Sequence, residues 1–320
     1  MSQKIGISLS GGAAYGFSHI GFLQAIDDAG IEVECITGTS MGALIGALYA
    51  AGYSPYQILI MLGNEGMHRI EHIFRPNFRN NGGIIDTQRL ERKLQKYIPH
   101  NTFEKLERRY YCNVLNMNSL QEEVIGEGGM LSKWVMASLA IPPFFAPVKV
   151  GSSYYFDGGL VDIMPVEPLL REGCDERIGV SIKLLKPHVY MKPTWMSLRA
   201  LEFMCYATTE RSREKFTEVV DVDCGKYGVL NFRSYRTFYE VGYNEGRAFV
   251  REWKKRKQEQ IENKKAPRLE LIPNGNGIDK ENLQGRFRAV EQPHHGAEQG
   301  RDDVQGEKSW GGEDKGNLVR

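Results

Sequence analysis

Val33–Gly52 reads VECITGTSMGALIGALYAAG, and its character changes part-way along. Val33–Thr37 is a short apolar run of strand length, whereas the residues from Met41 to about Ala51 read as a small-residue helix. Between them lies Gly38-Thr39-Ser40-Met41-Gly42. A strand that passes straight into a helix puts Ser40 on an abrupt bend, and the flanking glycines permit both the bend and close packing. The helix that follows points its N-terminal end at the hydroxyl, which favours negative charge developing there. A plain small-residue turn opening a tightly packed helix is the alternative, because five-residue patterns also arise by chance.

The residues upstream repeat the arrangement. Lys4–Leu9 is a short apolar strand, Ser10–Ala13 a tight loop, and Tyr15–Ala29 a helix with Gly30 at its stop. Strand, helix, strand, helix predicts an α/β fold with a mainly parallel central sheet covered by helices on both faces. Ser10-Gly11-Gly12-Ala13-Ala14-Tyr15-Gly16 also joins a strand to a helix, and small residues there leave consecutive backbone N–H groups bare. Such a nest suits an oxyanion hole or a phosphate. A dinucleotide site fits less well. Ala13 stands at its second glycine position, and the next strand runs into the Ser40 turn where an acidic residue is needed.

Farther along, residues 54–109 are helical and mixed, Tyr110–Asn116 returns to strand pattern, and Leu131–Leu139 is a short helix ended by Ile141-Pro142-Pro143. Ala146–Val150 and Tyr154–Phe156 read as strands leading into Asp157-Gly158-Gly159, and Arg177–Leu184 as another buried strand. Helix periodicity dominates Trp195–Phe216 and again Glu240 to about Glu262. An aspartate between a strand and two glycines can approach another backbone closely, although Asp-Gly is also a common turn pair. Asp157 lies 117 residues beyond Ser40, so only the fold can bring the two together.

Three ordered blocks resemble bacterial members of the patatin-like phospholipase family: Ser10–Leu23 (SGGAAYGFSHIGFL), Thr39–Gly52 (TSMGALIGALYAAG) and Ala137–Pro168 (ASLAIPPFFAPVKVGSSYYFDGGLVDIMPVEP). The likeness covers about residues 4–172 and continues more faintly to about 260. It implies a patatin-like α/β sandwich, with Ser40 as nucleophile, Asp157 as its base, and the amides of Gly11, Gly12 and Ala13 as oxyanion hole. The motif glycines would be Gly38, Gly42, Gly158 and Gly159. On this reading residues 5–172 form the core of the domain, 173–272 complete it with helices and strands, and 273–320 form a disordered tail. The chain departs from the family pattern in three places. Ala13 replaces a third glycine, and its N–H stays available where φ is negative. Tyr15 replaces a basic residue, and Asp162-Ile163 replaces the asparagines common after the Asp-Gly-Gly block.

An unperturbed aspartate is a weak base for a serine hydroxyl. Desolvation must therefore raise the basicity of Asp157, and the nest must hold the tetrahedral oxyanion. His188, after the Arg177–Leu184 strand, offers a Ser…Asp…His order as an alternative, though a loop histidine is the plainer reading. His19 reads as packing against the elbow. His294 and His295 match no metal site. No metal or cofactor is required.

Composition sets the outer bounds. The 320 residues carry 41 basic and 40 acidic side chains, so no global field draws in nucleic acid. Five scattered cysteines read as reduced core thiols. No signal-peptide pattern follows Met1, and Met41–Gly52 is too short and glycine-rich to span a bilayer. The expectation is a cytoplasmic protein that visits membranes peripherally. Gln88–Arg109 carries seven basic against three acidic residues, and Arg251–Arg268 eight against three. Solvated helix faces explain such runs; contact with anionic lipid, with Trp253 at head-group depth, is the sharper reading. The tail 273–320 holds nine glycines and 16 charged residues, too little apolar area to offset its chain entropy. The functional expectation is a serine lipid acyl hydrolase acting on phospholipid or lysophospholipid esters. A catalytically weak lipid-binding relative, and an acyltransferase or thioesterase with the same nucleophile, stay open.

Overall fold

β1 (Ile5–Leu9) is buried along its whole length, as an interior strand of a doubly covered sheet must be. In the computed structural model, which describes residues 3–64, 88–142, 144–183, 193–225 and 228–265, it pairs in parallel with β2 (Cys35–Gly38) on one side and β7 (Glu176–Ile182) on the other. β3 (Arg109–Asn116) continues the parallel set beyond β2, and β8 (Glu218–Val222) beyond β7. β4 (Gln121–Ile125), β5 (Val148–Val150) and β6 (Ser153–Asp157) add antiparallel pairs around β3. Among the described residues the order is β5-β6-β3-β2-β1-β7-β8, with β4 also on β3.

Helices cover both faces. Residues of α1 (Phe17–Asp28), α2 (Met41–Ala50) and α3 (Pro55–Asn64) pack with Ile7, Leu9 and Ile36 into one core. α4 (Gln88–Tyr97) and α5 (Leu131–Ser138) extend that core through Leu94, Leu131 and Val135. On the opposite face α6 (Glu167–Arg171) and α7 (Pro193–Arg213) bury Leu169 and Cys205 with Cys35, Ile163 and Met164. The alternation of Cys35 to one core and Ile36 to the other is the period-2 signature of a strand buried on both sides. All five cysteines are buried free thiols.

α8 (Tyr235–Lys265) lies on α1 with the two backbones in contact. A Cβ at Gly21 would fall on the Tyr239 carbonyl oxygen, and one at Gly242 on that of Ser18. Lys254 Nζ donates to Ala29 O at the C-terminal end of α1, so the basic part of α8 up to Arg256 sits about 18 Å from the end of α1 that meets the Ser10–Gly16 loop. Trp253 packs against the core, and Arg256 pairs with Glu218 at 2.8 Å. The indole is half-buried, while Arg251, Lys254, Lys255 and Arg256 around it are exposed.

The sequence reading differs from the fold at several other points. α1 begins at Phe17 rather than Tyr15, because Ala13–Gly16 form a 3₁₀ turn held by Tyr15 N–H to Gly12 O and Ala14 N–H to Val229 O. β4 and β8 were not anticipated. β4 begins Gln-Glu-Glu and has no fully buried residue, which hides it from a search for apolar alternation. Compactness divides the chain into Met1–Arg256 and Lys257–Arg320, so β7 and β8 belong to the same unit as β1–β6. The tail 273–320, His188, His294 and His295 lie outside the described residues. Among the described residues, no helix is long and apolar enough to cross a membrane.

Candidate active site

β3 acts as the ruler that brings the two motifs to one height. Gly38 pairs with Cys112 in the β2–β3 register, and Val114 pairs with Asp157 in the β3–β6 register. Ser40, two residues past Gly38, thus arrives level with Asp157 although 117 residues separate them. The C-terminal turn of α5 fixes both. Ser40 N–H donates to Ser138 Oγ at 3.0 Å, and Asp157 N–H donates to Ala140 O at 3.1 Å.

Ser40 has φ 54° and ψ −122°, a conformation that L-residues avoid and that costs on the order of 1–3 kcal/mol. The surroundings enforce it. α2 starts at once, with Leu44 N–H on Ser40 O, and passes so close to β1 that a Cβ at Gly42 would meet the Leu9 and Ser10 carbonyls. The Gly-x-Ser-x-Gly pattern is therefore a packing requirement as well as a turn, and Ser40 is left 9% exposed.

Asp157 is 1% exposed. Its Oδ1 accepts from Gly159 N–H at 2.8 Å, while Oδ2 is buried with no partner at normal hydrogen-bond distance and angle among the described residues. Burial pushes its pKa up to about 7, against the lowering effect of the Gly159 amide and of the facing Ser40 hydroxyl. The Ser40 hydroxyl is thus close enough to Asp157 to favour its ionised form, although no well-formed hydrogen bond to Oδ2 joins them.

Asn113 is a residue the sequence reading passed over. It is fully buried in β3, accepts from Thr39 Oγ1 at 2.7 Å, and donates to Asp162 O at 2.6 Å and Glu122 Oε1 at 3.0 Å. One side chain thus ties the residue before Ser40 to the loop after Asp157. Its signal was an asparagine inside an otherwise apolar strand, where a buried amide needs several partners. Ser138 had a weaker signal, a hydroxyl just before Ile141-Pro142. Asp162 ties its own loop down by accepting from Met164 N–H at 3.0 Å.

In the nest, Gly11 lies against Ser40: a Cβ added at Gly11 would sit 3.3 Å from the Ser40 Cβ. The Gly11 N–H donates to Ile163 O at 3.3 Å, so among the described residues it is the one of the three amides with a backbone acceptor. The N–H groups of Gly12 and Ala13 open the 3₁₀ turn and, as its first donors, have no acceptor within it. Ala13 has φ 46°, contrary to the negative φ expected of an alanine there. The left-handed conformation costs an L-residue about 1–2 kcal/mol, and glycine's extra chain entropy offsets part of that. Ala13→Gly should therefore stabilise the protein by about 0.5–1 kcal/mol in urea unfolding; a clear loss of stability would mean the alanine methyl contributes more packing than strain. Tyr15 does not replace the basic residue in the site. Its ring packs edge-on against Phe238 at 5.2 Å, and burial pushes its hydroxyl up to about 12. His19 is fully buried, with Nε2 2.8 Å from Ser10 O, and burial lowers its pKa to about 4. A neutral ring donating through Nε2 holds the nest's first carbonyl, which is a packing role.

A family model described as patatin-like phospholipase matches residues 7–170, a span that holds the nest, the Ser40 elbow and Asp157 together. The chain belongs to the patatin-like phospholipase family. Among curated relatives, Lysophospholipase NTE1 of Candida glabrata is 26% identical over 280 residues, covering 78% of this chain and 16% of that protein. Lysophospholipase NTE1 of Saccharomyces cerevisiae is 26% identical over 278 residues, with the same coverages of 78% and 16%. The chain thus spans about a sixth of the length of these relatives. Among solved structures, VipD from Legionella pneumophila superposes with a TM-score of 0.49 at 15% identity, covering 78% of this chain and 67% of that one.

Proposed function

We propose that this patatin-like chain hydrolyses the ester bonds of phospholipids or lysophospholipids through a Ser40–Asp157 dyad and a covalent acyl-enzyme. The observation that carries the reading is the pairing of a serine on a strained elbow with a buried carboxyl whose pKa is raised to about 7. Family membership and the lysophospholipase relatives support the substrate class. Ser40 Oγ attacks the ester carbonyl carbon as its proton passes to Asp157 Oδ2. The carbonyl oxygen becomes an oxyanion facing the Gly12 and Ala13 amides and the N-terminus of α2. Collapse breaks the C–O bond, and the leaving alcohol takes the proton from Asp157. Water then attacks the acyl-Ser40 ester, giving one proton to Asp157, and the returning proton restores the Ser40 hydroxyl as the fatty acid leaves. A base matched to neutral pH contributes about 10²–10⁴ to such a rate, and each oxyanion donor about 3 kcal/mol.

A fluorophosphonate probe tests the reading directly. Only an activated serine is labelled, so the wild-type chain should react and Ser40→Ala should not, with fatty-acid release from lysophospholipid lost in parallel. Labelling that persists in Ser40→Ala would place the nucleophile elsewhere.

A further inference from the structure

Ser40 and Asp157 arrive on separate segments, Ser40 just past β2 and Asp157 at the end of β6. With no well-formed hydrogen bond joining them at Oδ2, their alignment depends on whatever ties the two segments together. Three groups form that tie. Thr39 Oγ1 donates to Asn113 Oδ1 at 2.7 Å, Asn113 Nδ2 donates to Asp162 O at 2.6 Å, and Thr39 Oγ1 lies 3.4 Å from Asp162 O. The triangle is closed. Its corners are the residue before Ser40, the middle of β3, and the loop after Asp157.

Packing extends the tie to Asp157 itself. The Gly158 backbone lies on the Asn113 side chain, since a Cβ there would sit 2.5 Å from Asn113 Cγ and 2.7 Å from Nδ2. A Cβ at Gly159 would meet Asp157 Oδ1 at 3.1 Å and Thr39 Cγ2 at 3.3 Å. The two glycines thus let the Asp157 turn close onto the same two side chains that bond one another. Asn113 can hold this arrangement in one orientation only. An amide has two N–H donors and one carbonyl. Here Nδ2 serves Asp162 O and Glu122 Oε1, and Oδ1 serves Thr39. Turned over, the amide would set its oxygen against two acceptors, and the side chain is fully buried, so water offers no substitute partner.

We propose that Asn113 is a positioning residue: with Thr39 it fixes Ser40 against Asp157, and it acts on the chemical step rather than on substrate binding. This role rests on the Ser40–Asp157 reading above. A fully buried side chain in the sheet is shielded from substrate, so its effect passes through the groups it aligns. Misplacing such groups by about 1 Å costs about 10²-fold in rate.

The test is steady-state hydrolysis of lysophospholipid together with the rate of fluorophosphonate labelling, on proteins whose thermal unfolding shows them folded. Asn113→Leu keeps the bulk and removes the amide. It should lower kcat about 10²-fold with KM within about twofold of wild type, and slow labelling by a similar factor. Thr39→Val replaces the hydroxyl by a methyl and should lower kcat about tenfold, whereas Thr39→Ser keeps the hydroxyl and should stay within about threefold of wild type. Because the two residues act as one clamp, the double variant Asn113→Leu/Thr39→Val should be at most about threefold slower than Asn113→Leu, where independent effects would multiply. A network that only stabilises the fold would lower the melting temperature without this pattern. Wild-type kcat in folded Asn113→Leu or Thr39→Val overturns the proposal, as does a change confined to KM, or a Thr39→Ser as slow as Thr39→Val. The Thr39 variants carry the test where Asn113→Leu does not fold. A wild-type chain that is not labelled fails the hydrolase reading itself; a labelled wild type matched in rate by Asn113→Leu fails the positioning role alone.

Discussion

Ser40→Gly is expected to abolish ester hydrolysis and, at the same time, to make the protein more stable. Both effects follow from one residue's position. On the proposed reading the Ser40 hydroxyl forms the acyl intermediate, and removing a nucleophile of this kind costs about 10⁴–10⁶ in turnover. The backbone at φ 54°, ψ −122° is one that glycine adopts freely and serine does not. Releasing that strain is worth about 1–3 kcal/mol, less about 0.5–1 kcal/mol for the greater freedom of an unfolded glycine. Ser40→Ala is the control, since it removes the same hydroxyl and keeps a Cβ in the same conformation. Urea unfolding of the three proteins should therefore place Ser40→Gly above both others by about 1–2 kcal/mol, with both variants inactive on lysophospholipid. Retained hydrolysis in Ser40→Gly would remove the catalytic assignment, and equal stability of glycine and alanine variants would remove the strain.

What could be read in advance depended on whether a feature is local. The β2–Ser40–α2 elbow was legible because strand, bend and helix are adjacent, and the change of period marks the junction within a few residues. The meeting of Ser40 with Asp157 was not, since it depends on β3 pairing with β2 at Cys112 and with β6 at Val114. Those two registers are tertiary facts, and only the resemblance to a known family supplied the pairing. Asn113 shows a middle case. Its oddity in an apolar strand was visible, but its partners Thr39, Glu122 and Asp162 are scattered along the chain. The orientation of α8 was hidden for another reason: on a long helix, charge density does not reveal which way Trp253 turns, and here it packs half-buried against the core.

The departure at Tyr15 has an electrostatic consequence at the base. A cation beside a carboxylate lowers its pKa, and no cation is among the groups that shift Asp157. With Tyr15 packed against Phe238, burial acts on Asp157 opposed only by two hydrogen-bonding groups. In the proposed dyad this answers the difficulty that an ordinary aspartate is too weak a base for serine, because burial raises the Asp157 pKa to about 7.

Asp157→Asn should consequently lose activity and gain stability in a pH-dependent way. The folded-state pKa of about 7 stands above the value near 3.9 of an unfolded aspartate. Between those values the folded chain keeps a proton that the unfolded chain has released, so wild-type stability is greatest below about pH 4 and declines until the carboxyl ionises in the fold, levelling off above about pH 7. Three pKa units correspond to at most about 4 kcal/mol. An asparagine fits the same space, keeps its carbonyl for the Gly159 N–H, and carries no charge to desolvate. Its stability relative to wild type should be nearly level at pH 4 and rise to about 2–4 kcal/mol in its favour at pH 8. Hydrolysis should fall about 10²–10⁴-fold, while wild-type kcat/KM climbs through about pH 7 and stays high above it. A stability difference that does not change between pH 4 and pH 8 would mean that Asp157 titrates as an ordinary carboxylate, and the serine would then need a different base.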